Sequence, residues 1–184
     1  KGIFNSWRIG VNAARSEIII LIDGDLQNPV FEIKNLYNRF INSSSDIVIG
    51  SRKYKEDNID IRYFFSKGLC KLLNIFFSTK LKDAKSGFVC SYKDTLNDIL
   101  NFKFSYFFPQ TFINISAIKK GYNYNEVDTL FFPRILGKSF LPMFPMKEII
   151  LILFDIFLAF IEFRFFTKKK SDLERFISNY NINI

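Results

Sequence analysis

The sequence predicts one α/β domain, a largely parallel sheet flanked by helices, followed by an apolar C-terminal helix associated with a membrane. Three observations predict it. Ile18 to Ile22 form an unbroken aliphatic run, the mark of a strand buried on both faces. Asp46 to Gly50 form a second short run of that kind after a stretch with helical spacing. Residues 148–166 are nearly all Ile, Leu and Phe, interrupted by a few acids. At 184 residues, 48% of them hydrophobic, the chain is long enough for one sizeable core.

In chain order, residues 3–15 read as a helix leading into the first strand. Residues 29–42 have apolar side chains at 33, 36, 37, 40 and 41, the spacing of a helix face. Asn28 suits its N-cap and Pro29 its first position. Asn42 to Ser45 form a turn before the second strand, 46–50. Residues 60–79 read as an apolar, basic helix carrying Arg62, Ser66, Lys67 and Lys71. Residues 83–92 are expected to be extended or loop, 93–101 a short helix, and 109–120 a further helix stopped by Gly121. Glu126 to Phe132 read as the last strand, ahead of a loop with Arg134. The expected division is a catalytic domain over 1–145, a membrane helix with a basic end over 146–170, and a polar tail over 171–184. No internal repeat or low-complexity tract interrupts this order.

Composition narrows the chemistry. Aromatic residues make up 18% of the chain, 24 of them Phe, which hints at lipid contact. A net charge of +8 suits partners that carry phosphate. Nucleic acid is not expected among them, because the basic residues are dispersed and no recognised nucleic-acid motif occurs. Cys70 and Cys90 lack metal-ligand spacing and read as reduced, buried thiols of a cytosolic protein. With no histidine, Ser-His and Cys-His chemistry and His-dependent zinc sites are excluded. Catalysis would have to run on carboxylates, a metal and basic side chains.

The first strand supplies the carboxylates. It ends in Asp23-Gly24-Asp25-Leu26-Gln27-Asn28-Pro29. Open α/β sheets bind ligands beyond the carboxyl ends of their strands, which is where Asp23, Asp25 and Gln27 fall. Two carboxylates and an amide oxygen are hard ligands, suited to Mg²⁺ or Mn²⁺, and such an ion also holds substrate phosphates. The substrate class this implies is a nucleoside diphosphate compound. A plain polar loop explains Asn28 and Pro29 but leaves Asp-Gly-Asp without a reason.

This segment resembles the metal-binding signature of GT-A-fold family 2 glycosyltransferases that use nucleotide sugars. Within that family it is most similar to the dolichol-phosphate mannose synthase and polyprenyl-phosphate glycosyltransferase branch, where Asp-x-Asp-Leu-Gln-x-Pro is usual. The resemblance runs over residues 1–140. Gly10, Ala13 and Ala14 match the helix before the signature, and Asp46 to Arg52 match the next strand with its Gly-Ser-Arg end. Asp83 with Ser86-Gly87-Phe88 matches an Asp-x-x-Ser-Gly-Phe element, and Arg134 to Ser139 match Arg-x-x-Gly-x-Ser. Val89 departs from the pattern, which often has a basic residue after the Phe.

The resemblance implies a GT-A, Rossmann-like fold and inverting transfer of a hexose from a GDP- or UDP-sugar to a polyprenyl (dolichyl or undecaprenyl) phosphate. It implies that Asp23, Asp25 and Gln27 hold the metal, while Arg52, Arg62 and Arg134 contact phosphates. Guanidinium suits that task because it stays charged and pairs with phosphate oxygens. It further implies Asp83 as base or acceptor contact, Ser86 and Gly87 beside the sugar, Gly137 in a tight loop near the diphosphate, and Ser139 as a hydroxyl contact. Asp83 reads equally well as a turn former. Family members place a strand, an acidic nucleotide-binding loop and a second strand before this point, so an N-terminally truncated member is expected. The alternatives are a glycosyltransferase that extends a surface polysaccharide or glycan, and a non-catalytic fragment or scaffold that keeps the fold.

In the tail, Glu148, Asp155 and Glu162 recur every seven residues and so share one narrow stripe of a helix. Residues 148–166 would give roughly 28 Å of helix, barely a bilayer core. One buried acid costs on the order of 3 kcal/mol on insertion and each large apolar residue returns roughly 0.3–0.6, so hydropathy leaves spanning undecided. A helix lying in the interface, its acids toward water or the domain, costs less. Lys168, Lys169 and Lys170 would attract anionic lipids at the cytoplasmic face. A core helix covering the sheet is the remaining reading.

Overall fold

The structure is a computed structural model that describes residues 3–53, 61–132 and 146–170. Four strands form its sheet: β1 (Ile18–Leu21), β2 (Ile47–Lys53), β3 (Val89–Tyr92) and β4 (Tyr124–Leu130), side by side in the order β1-β3-β2-β4. The helices are α1 (Ile3–Ala13), α2 (Phe31–Ile41), α3 (Ile61–Phe77), α4 (Lys93–Ile99), α5 (Ile113–Lys119) and α6 (Met146–Ile161). A 3-10 turn at Pro109–Phe112 leads into α5, and α6 runs on into a π-helical turn at Glu162–Phe166. Gly121, at φ +83°, ends the α5 segment in the left-handed conformation expected of a glycine stop.

The sheet is mixed, which corrects the expected largely parallel one. β3 lies antiparallel to both β1 and β2, and only β2 and β4 pair in parallel. Four residues are too few to show a period, so Val89 to Tyr92 carry little strand signal of their own. Their place comes from hydrogen bonding to a strand on each side.

β2 is buried over Ile47–Ser51 and β3 over Val89–Ser91, whereas β1, at the sheet edge, is half-buried over Ile18–Ile20, which corrects the expectation of a first strand buried on both faces. Ile47, Ile49 and Val89 point into the larger core, with Leu73, Phe77, Leu96, Phe112 and Ile113. Val48, Cys90 and Phe88 point to the opposite face, where Leu36 and Phe40 of α2 cover them. α1 contributes Val11 to the larger core, and its last carbonyls are held by Lys93, whose Nζ donates to Asn12 O (3.0 Å) and Ala14 O (2.7 Å).

α6 belongs to the same body. Ile152, Ile156 and Ala159 enter the larger core, while Ile150, Phe154 and Phe157 stand exposed. None of the described helices is long and apolar enough to cross a membrane. The acidic stripe faces the domain. Asp155 is fully buried and accepts the backbone N–H groups of Phe107 (3.1 Å) and Phe108 (2.8 Å). Glu162 accepts those of Lys103 and Phe104 (3.0 Å each) and the Tyr106 hydroxyl (2.8 Å).

Candidate functional site

Direction in the sheet decides where the site lies. Leu21 pairs with Val89, Ile49 also pairs with Val89, and Lys53 pairs with Leu130. The carboxyl ends of β1, β2 and β4 therefore meet the amino end of β3 at one edge. Although β3 runs the other way, loops 22–28, 51–53, 83–88 and 131–132 converge there, the side on which open α/β sheets bind ligands.

The β1 loop is held in a particular shape. Asp25 Oδ1 accepts the Gln27 N–H (3.2 Å). Gln27 donates its side-chain amide to Phe132 O (3.1 Å), and Phe132 N–H returns a bond to Gln27 O (2.8 Å). Leu26 sits between the two at φ +60°, a left-handed conformation that costs a residue with a side chain and persists where the surrounding bonds hold the backbone. Asn28 is not the cap of α2, since Val30 takes that position without a side-chain bond. Instead Asn28 is buried, and its Oδ1 has no hydrogen-bond partner among the described residues.

The β2 end brings Arg52. Its Nε and Nη2 donate to Asp83 Oδ2 (2.5 Å) and Oδ1 (2.7 Å), and its backbone N–H reaches Oδ2 at 3.3 Å. The Phe131 ring centroid lies 5.3 Å from the guanidinium carbon. Burial alone would raise the Asp83 pKa, but the hydrogen bonds and charge of Arg52 outweigh it and hold the carboxyl below its usual range. Glu126 of β4 fixes the loop from below, accepting from Ser51 Oγ (2.8 Å) and from Lys82 N–H (2.9 Å).

Ser86 is a clasp. Its hydroxyl donates to Gly50 O (2.5 Å), and Asn114 Nδ2 donates to Ser86 O (3.0 Å). Gly50 has to be glycine, because an added Cβ would stand 2.6 Å from the Phe88 ring. Gly87 lies beside the carboxylates, where a Cβ would be 3.9 Å from Asp23 Oδ1. Between these residues Lys85 is half-buried, and its partial burial together with the charge of Arg52 lowers its pKa.

These groups open into one cleft of about 750 Å³. Of the residues the sequence singled out, Asp23, Asp25, Gln27, Arg52, Ser86 and Gly87 line it, while Asp83 is bonded to Arg52. Arg62 lies on α3, its side chain outside the described residues, as are Arg134, Gly137 and Ser139 altogether. Sequence reasoning missed Asn28, Lys85 and Phe131, which also line the cleft. Lys85 fills a variable position of the Asp-x-x-Ser-Gly-Phe element, and that adjacency was the one available signal.

Among the described residues no three Asp, Glu, Cys or His side chains cluster as a metal cage. The donors present nevertheless fit Mg²⁺ or Mn²⁺. Asp23, Asp25 and Gln27 line the cleft with oxygen-bearing side chains, and Asn28, which also lines it, keeps a buried Oδ1 with no hydrogen-bond partner among the described residues. Mg²⁺ sites commonly use one or two carboxylates and take their other ligands from water and substrate phosphates.

A solved structure with a similar fold is glucosyl-3-phosphoglycerate synthase from Mycobacterium tuberculosis in complex with UDP. The TM-score is 0.60 at 14% identity, over 89% of this chain and 55% of that one, so this chain spans about half its length. A sequence relative is a glutamate–tRNA ligase from Buchnera aphidicola subsp. Cinara cedri (strain Cc). It is 35% identical over 147 residues, 70% of this chain but 29% of the ligase. Residues 1–98, which contain the Asp23–Gln27 loop, Arg52, Asp83, Ser86 and Gly87, match the family described as Glycosyl transferase family 2. That match covers more than half of the 184 residues, and the chain belongs to glycosyl transferase family 2.

Proposed function

We propose that the protein is a metal-dependent, inverting glycosyltransferase that moves a hexose from a GDP- or UDP-sugar to a polyprenyl phosphate at the cytoplasmic face of a membrane. One observation carries this reading. The cleft that holds Asp23, Asp25 and Arg52 continues without a break onto apolar side chains of α3 and α6, among them Phe64, Phe65, Leu69 and Ile152. A charged end beside a greasy one matches an acceptor that is itself a phosphate on a hydrocarbon chain. The donor half draws support from family membership and from the UDP bound to the similarly folded synthase.

Asp23 and Asp25 would hold the divalent ion, with the amide oxygens of Gln27 and Asn28 beside them. When bound, that ion supplies positive charge to a departing diphosphate. Arg52 and Lys85 add charge at the same cleft, fixed in place by Asp83 and by burial. Arg134, Gly137, Ser139 and Arg62 keep the phosphate-contact roles that the family resemblance implies. A phosphate acceptor needs no strong base, as its second ionisation lies near pH 6. A glycan hydroxyl would need one, and Asp83, doubly bonded to Arg52 with a lowered pKa, is poorly suited to take a proton. That favours the lipid phosphate over a growing polysaccharide.

The test is protein expressed from the complete gene, offered UDP- and GDP-hexoses with a polyprenyl phosphate. Lipid-linked sugar should form only with Mn²⁺ or Mg²⁺, and Asp25→Ala should abolish it with an unchanged circular dichroism spectrum. Full turnover in that variant, or in excess chelator, refutes the metal site. Transfer to a glycan but not to the lipid replaces the acceptor.

A further inference from the structure

α6 shows an unusual inversion for a helix at the surface of a protein. Its acid Asp155, and Glu162 in the turn that follows, are buried and bonded, while Ile150, Leu153, Phe154, Phe157 and Phe160 are 45–65% exposed. Their spacing places them along one helix face. The patch continues in two directions. Leu153 also lines the cleft, and so do Phe64 (66% exposed) and Phe65 (43% exposed) of α3. At the other end, Phe165 and Phe166 are exposed beside the basic side chains of Lys103, Arg164, Lys168 and Lys169, and Lys103 Nζ sits 3.5 Å from the Phe166 ring centroid. Arg164 and Lys169 stand close enough to Lys119 to add to the burial that lowers its pKa. The three cations thus repel one another.

We propose that the outer face of α6, with the exposed Phe residues of α3 and the cations after Glu162, docks flat on an anionic lipid bilayer. The occupant is inferred from charge and continuity. A greasy face with a cationic end complements a surface of acyl chains and negative headgroups. A second copy of the chain would bring the same cations together. Because Leu153, Phe64 and Phe65 belong to both the patch and the cleft, docking sets the cleft mouth at the membrane surface. The inference deepens the lipid-acceptor reading and rests on it for the purpose of docking.

The full chain is mixed with phosphatidylcholine vesicles, with or without phosphatidylserine and containing no polyprenyl phosphate, and floated on a density gradient. Such vesicles keep the test separate from sugar transfer. The chain should float with the serine-containing vesicles. Ile150→Gln/Phe157→Gln/Phe160→Gln, at exposed helix positions, should lower partitioning by about tenfold or more with an unchanged circular dichroism spectrum. Should that variant fail to fold, Arg164→Gln/Lys168→Gln/Lys169→Gln serves, and it should abolish the preference for phosphatidylserine. High salt should weaken binding only in part, since apolar burial is unscreened. A chain that floats with neither vesicle overturns the proposal. So does a chain whose patch is covered by self-association, seen as a dimer in sedimentation velocity that the triple Gln variant dissolves.

Discussion

Arg52 and Asp83 form the ion pair on which the charged end of the cleft depends. The guanidinium meets both carboxylate oxygens while both side chains are mostly buried, at 19% and 11% exposure. Removing one partner of such a pair costs about 3 kcal/mol, since the other charge is left buried. The Asp83 pKa is depressed in the folded state, so this stability is present above the ordinary carboxylate range and is lost as pH falls through the folded value. Urea unfolding of wild type and Asp83→Asn should therefore show a gap of about 3 kcal/mol at neutral pH that narrows in acid. In transfer assays Asp83→Asn should lose roughly ten- to a hundredfold through a misplaced Arg52. If Asp83 were instead the base, the acidic limb of the pH–rate profile would vanish in that variant. Gly50 makes a separate point about backbone space. Gly50→Ala would drive a Cβ into the Phe88 ring and should cost about 1–3 kcal/mol in the same unfolding experiment.

Helix α6 joins its exposed apolar face to the cleft wall. Asp155 satisfies the N–H groups of Phe107 and Phe108, just before the Pro109–Phe112 turn whose Gln110 and Thr111 line the cleft. Asp155→Ala would leave the N–H groups of exposed Phe107 and half-buried Phe108 without their carboxylate, at about 1–3 kcal/mol in total. Hydrogen exchange should then accelerate at Phe107 and Phe108 while β2 and β3 keep their protection. Uniform acceleration would show that Asp155 supports the whole core rather than this loop.

For the molecule as a whole, the proposed site predicts coupling between metal and nucleotide. If an ion shared by Asp23, Asp25 and a diphosphate completes the site, Mn²⁺ and UDP or GDP together should raise the melting temperature more than the sum of their separate effects. A ligand at a hundred times its Kd stabilises by about 2.7 kcal/mol, well within reach of a thermal melt. Additive shifts would place metal and nucleotide at independent positions. In Asp25→Ala the cooperative part should disappear.

The sequence by itself determined what depends on neighbours a few residues away. The aliphatic run before Asp23 reads as a strand, the polar stretch after it as a turn at the strand's carboxyl end, and Gly121 as a helix stop, because period, polarity and φ preference are local. It also showed that α6 has one acidic and one apolar stripe. Tertiary structure alone decided which stripe meets the domain, since a stripe names a face and not its partner. It placed β3 between β1 and β2, turning a sheet expected to be largely parallel into a mixed one, through hydrogen bonds that four residues cannot advertise. It joined Arg52 to Asp83, 31 positions apart, while Asp83 Oδ1 also accepts the Lys85 N–H, the local bond of the turn former that the sequence offered as one reading. It also buried Asn28 with an oxygen that has no hydrogen-bond partner among the described residues, where the local pattern had promised only a helix cap.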